Sequence, residues 1–246
     1  MGYLITGGTG TLGSCVIREL VRRGEKRIYS MSRDDSKQAE ARLEFPGVTY
    51  LCGDVTNYED CRRMHDLVYP TNIVHTAALK HVPACEENPE YAMRQNFIGA
   101  VNMHRACSPA LKFTQISTDK AVHPIGVLGF TKAMAERHIL KSNYGTIVRL
   151  GNVINSRGSI LQLAAKQLEE HGCIFITDIE MERYWITDQE AANFILADHI
   201  ERVAVPEMQK RKVVNVIRDA YPDAKFEVIG KKFGEKLDEQ VRWEWE

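Results

Sequence analysis

A ten-residue segment near the N-terminus, LITGGTGTLG at positions 4–13, constrains the fold of this chain more than any other feature. It places Gly7, Gly10 and Gly13 after an apolar run and before a segment with helical spacing. Glycines in such a turn let the backbone approach a diphosphate, which then lies at the helix N-terminus. A tight turn without a ligand is the simpler alternative, but the strand, the helix and the N-terminal position together favour a dinucleotide site. The residues predicted to contact the dinucleotide here are Gly7, Thr9, Gly10, Thr11, Leu12 and Gly13.

Strand and helix patterns continue to alternate beyond this loop. Apolar runs predict buried strands at residues 3–6, 27–31, 48–51, 72–76, 113–117 and 146–150. This order predicts an α/β fold, a Rossmann-type doubly wound parallel sheet. After Gly151 the rhythm loosens, so we expect a small, discontinuous C-terminal substrate lobe. The predicted division is a dinucleotide-binding domain of residues 1–152, to which residues 185–205 return, and a lobe of residues 153–184 and 206–246.

Composition excludes several kinds of partner. The 246 residues carry a formal net charge of -1, without a basic or basic-aromatic tract, so we expect no nucleic acid. No apolar run reaches the roughly 18 residues of a membrane span, and the N-terminus lacks a signal-peptide pattern. We therefore expect a cytoplasmic protein that binds small molecules and other subunits, as a homo-oligomer. Six scattered cysteines, without a Cys-x-x-Cys pair, predict no metal site.

The end of the second predicted strand, IYSMSRDD, distinguishes between two dinucleotides. An NAD site usually has an acidic residue about 20 residues beyond the glycines, but here Ser32 is followed by Arg33. A hydroxyl, a guanidinium and Lys37 one helical turn later suit a 2'-phosphate, so the sequence predicts NADP. A solvated charge cluster is the alternative. Asp54 and Val55 follow the third strand, where they would meet the adenine.

Further motifs make the pattern specific. From residue 3 to about 241 the chain contains, in order, the glycine motif, SRDDSKQ, GDV, AALKHVP, NFIGAVN, STDKAVHPIG, RLGNVINSRGS, EMERYWIT and GEKLDEQ. With these motifs it resembles the inverting UDP-N-acetylglucosamine 4,6-dehydratases of the extended short-chain dehydrogenase/reductase superfamily, the capsule and flagellin-glycosylation branch. Two features depart from that family. Leu128 replaces the usual tyrosine, and relatives generally continue for tens of residues past the GEKL segment, which bears on the sugar pocket.

The resemblance implies a lyase that recycles its cofactor. Oxidation of the sugar at C4 makes the C5 proton acidic, water is eliminated across C5 and C6, and the hydride returns to C6. Thr118, Asp119 and Lys120 follow the fifth strand and offer a hydroxyl, an acid and a base together. By resemblance Thr118 would orient the C4 hydroxyl, Asp119 would protonate O6, Lys120 would take the C5 proton and Lys132 would hold the nicotinamide ribose. A structural Asp-Lys ion pair and a solvated helical lysine are the alternatives.

The resemblance also implies further binding residues. It places Ala77, Ala78 and Lys80 beside NADP, together with Asn96, which would brace the active-site helix. The predicted substrate contacts are Lys80, Thr118, Asn152, Arg183, Glu235 and Lys236.

Leu128 raises the question of activity. A tyrosine here would accept the C4 hydroxyl proton, and such a general base contributes about 10²- to 10⁴-fold in rate. The longer, membrane-anchored branch of the family resembles this chain in having an apolar residue, methionine, at the same position. We therefore expect an active NADP-dependent UDP-sugar dehydratase. The alternatives are a UDP-sugar 4-epimerase and a non-catalytic protein that binds NADP or a nucleotide sugar.

Overall fold

The computed structural model describes residues 1–107, 112–154 and 156–244. The strands in these residues are β1 (Gly2–Thr6), β2 (Arg27–Ser32), β3 (Thr49–Cys52), β4 (Asn72–His75), β5 (Lys112–Thr118), β6 (Thr146–Leu150), β7 (Asn152–Val153), β8 (Ile174–Ile176), β9 (Glu182–Ile186), β10 (Val203–Ala204), β11 (Gln209–Lys212) and β12 (Phe226–Val228). The helices are α1 (Thr11–Arg22), α2 (Asp35–Glu44), α3 (Tyr58–Val68), α4 (Val82–Glu87), α5 (Pro89–Met93), α6 (Gly99–Ala106), α7 (Val127–Lys141), α8 (Ile160–His171), α9 (Asp188–Ile195) and α10 (Val213–Ala220).

A seven-stranded parallel sheet forms the centre of the protein. Its strand order is β10-β6-β5-β4-β1-β2-β3. The chain winds outward from β1 in one direction through β3 and then returns to β4 on the other side. The predicted Rossmann-type doubly wound fold is therefore confirmed, and each of the six predicted strands is present. The point where the direction changes lies between β1 and β4, and ligands of such sheets bind at the carboxyl ends of the strands there.

Both faces of the sheet are covered by helices. Leu4 and Ile5 are fully buried neighbours on β1, and because side chains alternate along a strand they belong to opposite faces. Ile5 packs in a cluster with residues of α1 and α9, whereas Leu4 packs with residues of α3, α6 and α7. Burial on both faces explains why the strands read as continuous apolar runs rather than as alternating patterns.

The C-terminal region adds two small sheets, β7-β9-β11 and β8-β12. Helices α8 and α10 pack on β8 in a separate apolar cluster that includes Ala164, Ile174 and Ile217. Residues 185–205 contribute α9 and β10 to the large sheet and its helical layer. The domain boundaries themselves stay a prediction. Within the described ranges, no helix is long and apolar enough to cross a membrane.

Candidate active site

A cleft of about 550 Å³ opens at the carboxyl ends of β1, β4, β5 and β6. Its position at the change of strand direction agrees with the expected ligand site of this fold. The predicted site residues that line it are Gly7, Gly10, Thr11, Leu12, Gly13, Ala78, Lys80, Thr118, Lys120, Leu128, Lys132 and Asn152. The glycine loop and the Thr-Asp-Lys segment, more than 100 residues apart in sequence, therefore meet in one cavity.

The glycine loop forms a cradle that larger side chains would fill. Gly7 has a φ of +70°, and a Cβ on it would lie 2.8 Å from the Cα of Ala77. A Cβ on Gly13 would collide with the Gly7 carbonyl oxygen, which already accepts a 2.9 Å hydrogen bond from the Gly10 amide. Helix α1 begins at Thr11 with no acidic side chain in its first turn. Its free amides and its dipole suit a diphosphate.

Thr118, Asp119 and Lys120 form one hydrogen-bonded cluster where β5 ends. The Asp119 carboxylate is fully buried, and its Oδ1 accepts 2.9 Å bonds from the Thr118 hydroxyl and from Lys120 Nζ. Oδ2, also buried, has no hydrogen-bond partner among the described residues. A buried polar atom left without a partner is costly, so this oxygen is suited to accept a hydrogen bond from a bound ligand. The contacts bring together the acid, base and hydroxyl predicted from sequence.

Helix α7 supplies the opposite wall with Leu128 and Lys132. Leu128 is buried and packs with Cys85 and Ala92 while its side chain lines the cleft. Lys132, one turn later, is also buried, and its Nζ donates a 3.0 Å bond to the Ile116 carbonyl. Burial lowers the pKa of Lys132 to about 8. An ammonium so close to losing its proton is distinct from the solvated helical lysine that was the alternative.

A π-helical turn, Arg94–Ile98, precedes α6 and carries Asn96. The Asn96 Oδ1 accepts a 2.7 Å bond from the Leu79 amide, and its Nδ2 donates to the Leu79 carbonyl and to Thr131 Oγ1. These bonds join the turn after β4 to helix α7, the bracing role expected for Asn96. Because the amide is buried and fully bonded to protein, it does not line the cleft, contrary to its placement among the cofactor contacts.

Arg33 and Lys37, the cations that follow β2, are not among the residues that line the cleft. Arg33 donates a 2.9 Å bond to the Tyr91 hydroxyl and pairs with Asp54 at 3.4 Å. Lys37 pairs with Asp34 at 2.8 Å, and both cationic side chains are about half exposed. Both are thus accessible to a further anion. Ser32 Oγ accepts a bond from Gln38.

Three predicted substrate residues contact protein instead of the cleft. Arg183 is buried, and its guanidinium donates to the carbonyls of Glu182, Lys236 and Leu237. Lys236 Nζ donates 2.7 Å bonds to the Val122 carbonyl and to Glu239. The Glu235 carboxylate accepts from the Lys232 amide. These polar atoms hold the C-terminal segment in place, and the assignment of Arg183, Glu235 and Lys236 to the substrate stays a prediction.

Three further predicted cofactor contacts, Thr9, Ala77 and Val55, are not among the residues that line the cleft. Thr9 is buried, and its carbonyl accepts a 3.4 Å bond from Arg157. Ala77 packs against Gly7, and buried Val55 lies beside Gly99. Among the described residues no group of three or more metal-ligating side chains is placed to hold a metal ion.

Two functional candidates were not identified from sequence. Arg157 donates its backbone amide to Thr11 Oγ1, and its carbonyl accepts a 2.6 Å bond from Lys80, so it bridges both sides of the cleft. Glu239 is a buried carboxylate 3.8 Å from Lys120 Nζ. Both stand in polar segments that read as solvated loops, and no local signal separates them from their neighbours.

His75 gives the protein a predicted acid sensitivity. The residue ends β4 beneath the cleft, bonds Thr6 Oγ1 at 2.8 Å and is fully buried. Burial, with a smaller effect of Lys132, lowers its pKa from 6.5 to about 3. Between these values the unfolded chain binds more protons, so stability should fall as the pH drops below 6.5, by about 1.4 kcal/mol per pH unit. The free energy of unfolding of His75→Asn, measured with denaturant at several pH values, should fall less steeply with decreasing pH, because one proton fewer is taken up on unfolding. An unchanged pH dependence would contradict this account.

Comparison with known proteins agrees with the class that the geometry indicates. With its doubly wound sheet and a glycine loop at the switch point, the molecule has the Rossmann-type fold of short-chain dehydrogenases, sugar-nucleotide epimerases and dehydratases. A family model described as polysaccharide biosynthesis protein matches residues 3–246, nearly the whole chain. The chain belongs to this family.

Two relatives and one solved structure illustrate the similarity. The UDP-N-acetylglucosamine 4,6-dehydratase (inverting) of Campylobacter jejuni is 32% identical over 96% of this chain and 75% of its own. The UDP-glucose 4-epimerase of Rickettsia bellii is 34% identical over 78% of this chain and 61% of its own. The crystal structure of Pen from Bacillus thuringiensis, 31% identical, superposes with a TM-score of 0.89 over 98% of this chain and 80% of its own. The resemblance inferred from the motifs is confirmed.

Proposed function

We propose that the protein is an NADP-dependent UDP-sugar 4,6-dehydratase that acts on UDP-N-acetylglucosamine or a close UDP-hexose. One observation carries the proposal. Thr118 and Lys120 line the same cleft as the glycine loop and Lys132, and both bond the buried Asp119 carboxylate directly behind the cleft wall. Elimination needs an acid and a base beside the site of hydride transfer. Here the proposed acid Asp119 and base Lys120 lie together with the proposed dinucleotide site.

The residues present fit a nicotinamide dinucleotide. The cradle at Gly7 and Gly13 leaves room for a diphosphate at the start of α1. Lys132, a buried lysine in the cleft lining, would bind a ribose hydroxyl. When bound, the nicotinamide would accept the hydride from C4 and return it to C6.

The side chains of the cluster carry the proton transfers. Thr118 would orient the C4 hydroxyl, since its own hydroxyl lines the cleft at the end of β5. Lys120, as the free amine, would take the proton from C5 while Asp119, as the acid, protonates O6, so that water leaves. Lys120 ends with one proton more and Asp119 with one fewer, which balances the step. With Leu128 at the usual tyrosine position, the first proton would pass to Asp119 or Lys120.

Asn152 and Lys80 are the substrate contacts that remain supported by position. Asn152 begins β7 at the end of β6 and lines the cleft, as does Lys80 in the turn after β4. Both polar side chains suit the oxygens of a nucleotide sugar. We also propose a homo-oligomer. It is supported by the exposed apolar side chains of α5 and α7, among them Tyr91 and Phe130. The cytoplasmic location stays a prediction.

The dinucleotide preference can be tested at Arg33. If its guanidinium meets a 2'-phosphate, calorimetry should show NADP binding about 10- to 100-fold tighter than NAD, as a charge-assisted hydrogen bond provides. Arg33→Ala should abolish most of this preference. The matched control is Arg62→Ala, since Arg62 is an equally exposed arginine paired with Asp66 on α3. Equal affinities of the unmodified protein for NADP and NAD would contradict the assignment.

Product analysis tests the proposed reaction and separates it from the alternatives. The pure protein is incubated with NADP and UDP-N-acetylglucosamine, and products are identified by mass spectrometry and NMR. A dehydratase gives a 4-keto-6-deoxy sugar that has lost the mass of one water, with NADP unchanged at the end. An epimerase, the reaction named for the Rickettsia relative, gives an isomer of equal mass. Recovery of unchanged sugar, with binding but no turnover of any UDP-hexose, would favour the non-catalytic alternative.

A further inference from the structure

The C-terminal segment of residues 234–241 packs behind the candidate active site, against the turn that carries Lys120 and the start of α7. Gly234, with a φ of +81°, lies against Gly126 at the start of α7, where a Cβ on Gly126 would come within 2.9 Å of the Gly234 Cα. Arg183 holds the carbonyls of Lys236 and Leu237 at 2.8 and 3.2 Å. These contacts fix the segment against helix α7.

Within this segment Glu239 is the buried acidic residue that reaches the catalytic cluster. Its side chain is 2% exposed, and its Oε2 accepts a 2.7 Å bond from Lys236 Nζ. Its Oε1 lies 3.8 Å from Lys120 Nζ, which also donates a 2.9 Å bond to Asp119. Two buried carboxylates, one from the turn after β5 and one from the C-terminal segment, therefore flank the same lysine.

Further contacts join the two carboxylates and two lysines into one cluster. Lys236 Nζ also donates to the Val122 carbonyl, which follows the short turn that carries Asp119 and Lys120. The two lysines and two carboxylates balance in charge when all are ionised, which removes the cost of an isolated buried charge. Asp238, the adjacent acidic residue, instead pairs with Lys210 and is half exposed. Glu239 thus differs from Asp238 in being buried and in lying beside Lys120.

From this geometry we infer that Glu239 is a positioning residue that holds the Lys120 side chain from the C-terminal side. The inference rests on the proposed function for its role in catalysis, but the contact itself does not. Lys120 must present its amine to C5, and a displacement of about 1 Å in a catalytic group can cost about 100-fold in rate. Asp119 alone fixes Lys120 from one side, and Glu239 fixes it from the other.

A labelling experiment tests the contact without any turnover. The full chain is treated briefly with acetic anhydride, and acetylation of each lysine is measured by peptide mass spectrometry. Glu239→Gln should raise the acetylation rate of Lys120 by roughly two- to fivefold, because a partly exposed ion pair is lost and the side chain reaches solvent more often. Asp238→Asn is the matched control and should leave the Lys120 rate unchanged. An unchanged Lys120 rate in Glu239→Gln would overturn the inference.

A kinetic experiment tests the catalytic consequence. Glu239→Gln should lower the kcat for dehydration by about 10- to 100-fold with little change in KM, and Glu239→Asp should recover part of it. A merely structural role would lower the unfolding temperature but leave the kcat of the folded fraction unchanged, and that result would overturn the inference. If Glu239→Gln does not fold, Glu239→Asp withdraws the carboxylate from Lys120 by one methylene and should also raise Lys120 acetylation, by a smaller factor. A wild-type protein without activity would contradict the proposed function, and the labelling result would still decide the contact.

Discussion

Replacing Lys120 with methionine, or Asp119 with asparagine, is expected to lower the rate of 4-keto-6-deoxy sugar formation by about 10²- to 10⁴-fold. This is the usual contribution of a general base or acid. Methionine keeps the length and packing of Lys120 but cannot accept the C5 proton. Asparagine keeps the Asp119 hydrogen bonds to Thr118 and Lys120 but cannot deliver a proton to O6. The rate is measured by NMR of the sugar product.

Both variants should still bind UDP-N-acetylglucosamine, because the proposed substrate contacts Lys80 and Asn152 are unchanged. Exchange of the C5 proton with solvent deuterium should be lost in Lys120→Met. Lys112→Met is the matched control, since Lys112 begins the same strand and pairs with exposed Asp198. Near-normal turnover in either active-site variant would mean that the acid and base have been assigned to the wrong residues.

The largest expected loss of stability is at Arg149, the buried arginine of β6. Its guanidinium forms two bonds to the Glu136 carboxylate, at 2.9 and 2.7 Å, and both side chains are at most 3% exposed. Glu136 on α7 also accepts a bond from Ser117, and Arg149 bonds the Val241 carbonyl. Arg149→Met would leave a buried carboxylate without its cation and should lower the free energy of unfolding by about 3–5 kcal/mol.

Denaturant unfolding measures this loss. The double variant with Arg149→Met and Glu136→Gln should recover part of it, because the unpaired charge is then absent. Arg211→Met is the exposed control. Arg211 pairs with Asp219 at 2.6 Å with both side chains partly exposed, and such pairs contribute less than about 1 kcal/mol. Equal losses in Arg149→Met and Arg211→Met would contradict the importance assigned to the buried pair.

The large sheet was predictable because its signals are local. Each strand is an apolar run buried on both faces. The turn after β1 carries the glycine motif, and the turn after β5 carries Asp119 and Lys120. Strands β7, β9 and β11 were missed for a physical reason. Strand β7 has two residues and β11 is Gln-Lys-Arg-Lys, so no burial pattern marks them, and their pairing depends on distant segments.

The candidate site was predictable to the same extent. Thr118, Asp119, Lys120 and Lys132 stand in compact motifs, and the structure brings them together in the cleft wall or directly behind it. The protein contacts of Arg183 were not predictable, because two of the backbone carbonyls it bonds lie more than 50 residues away in the sequence.

The path of one hydrogen atom tests the central claim most directly. The protein is incubated with NADP and UDP-N-acetylglucosamine that carries deuterium at C4, and the product is examined by NMR. A 4,6-dehydratase removes this deuterium as hydride and returns it to another carbon, so the account predicts a 4-keto-6-deoxy sugar with deuterium at C6. Deuterium that returns to C4 of a sugar with inverted configuration would show an epimerase instead, and deuterium that stays in unchanged substrate would show no hydride transfer. Either of these results would contradict the proposed reaction.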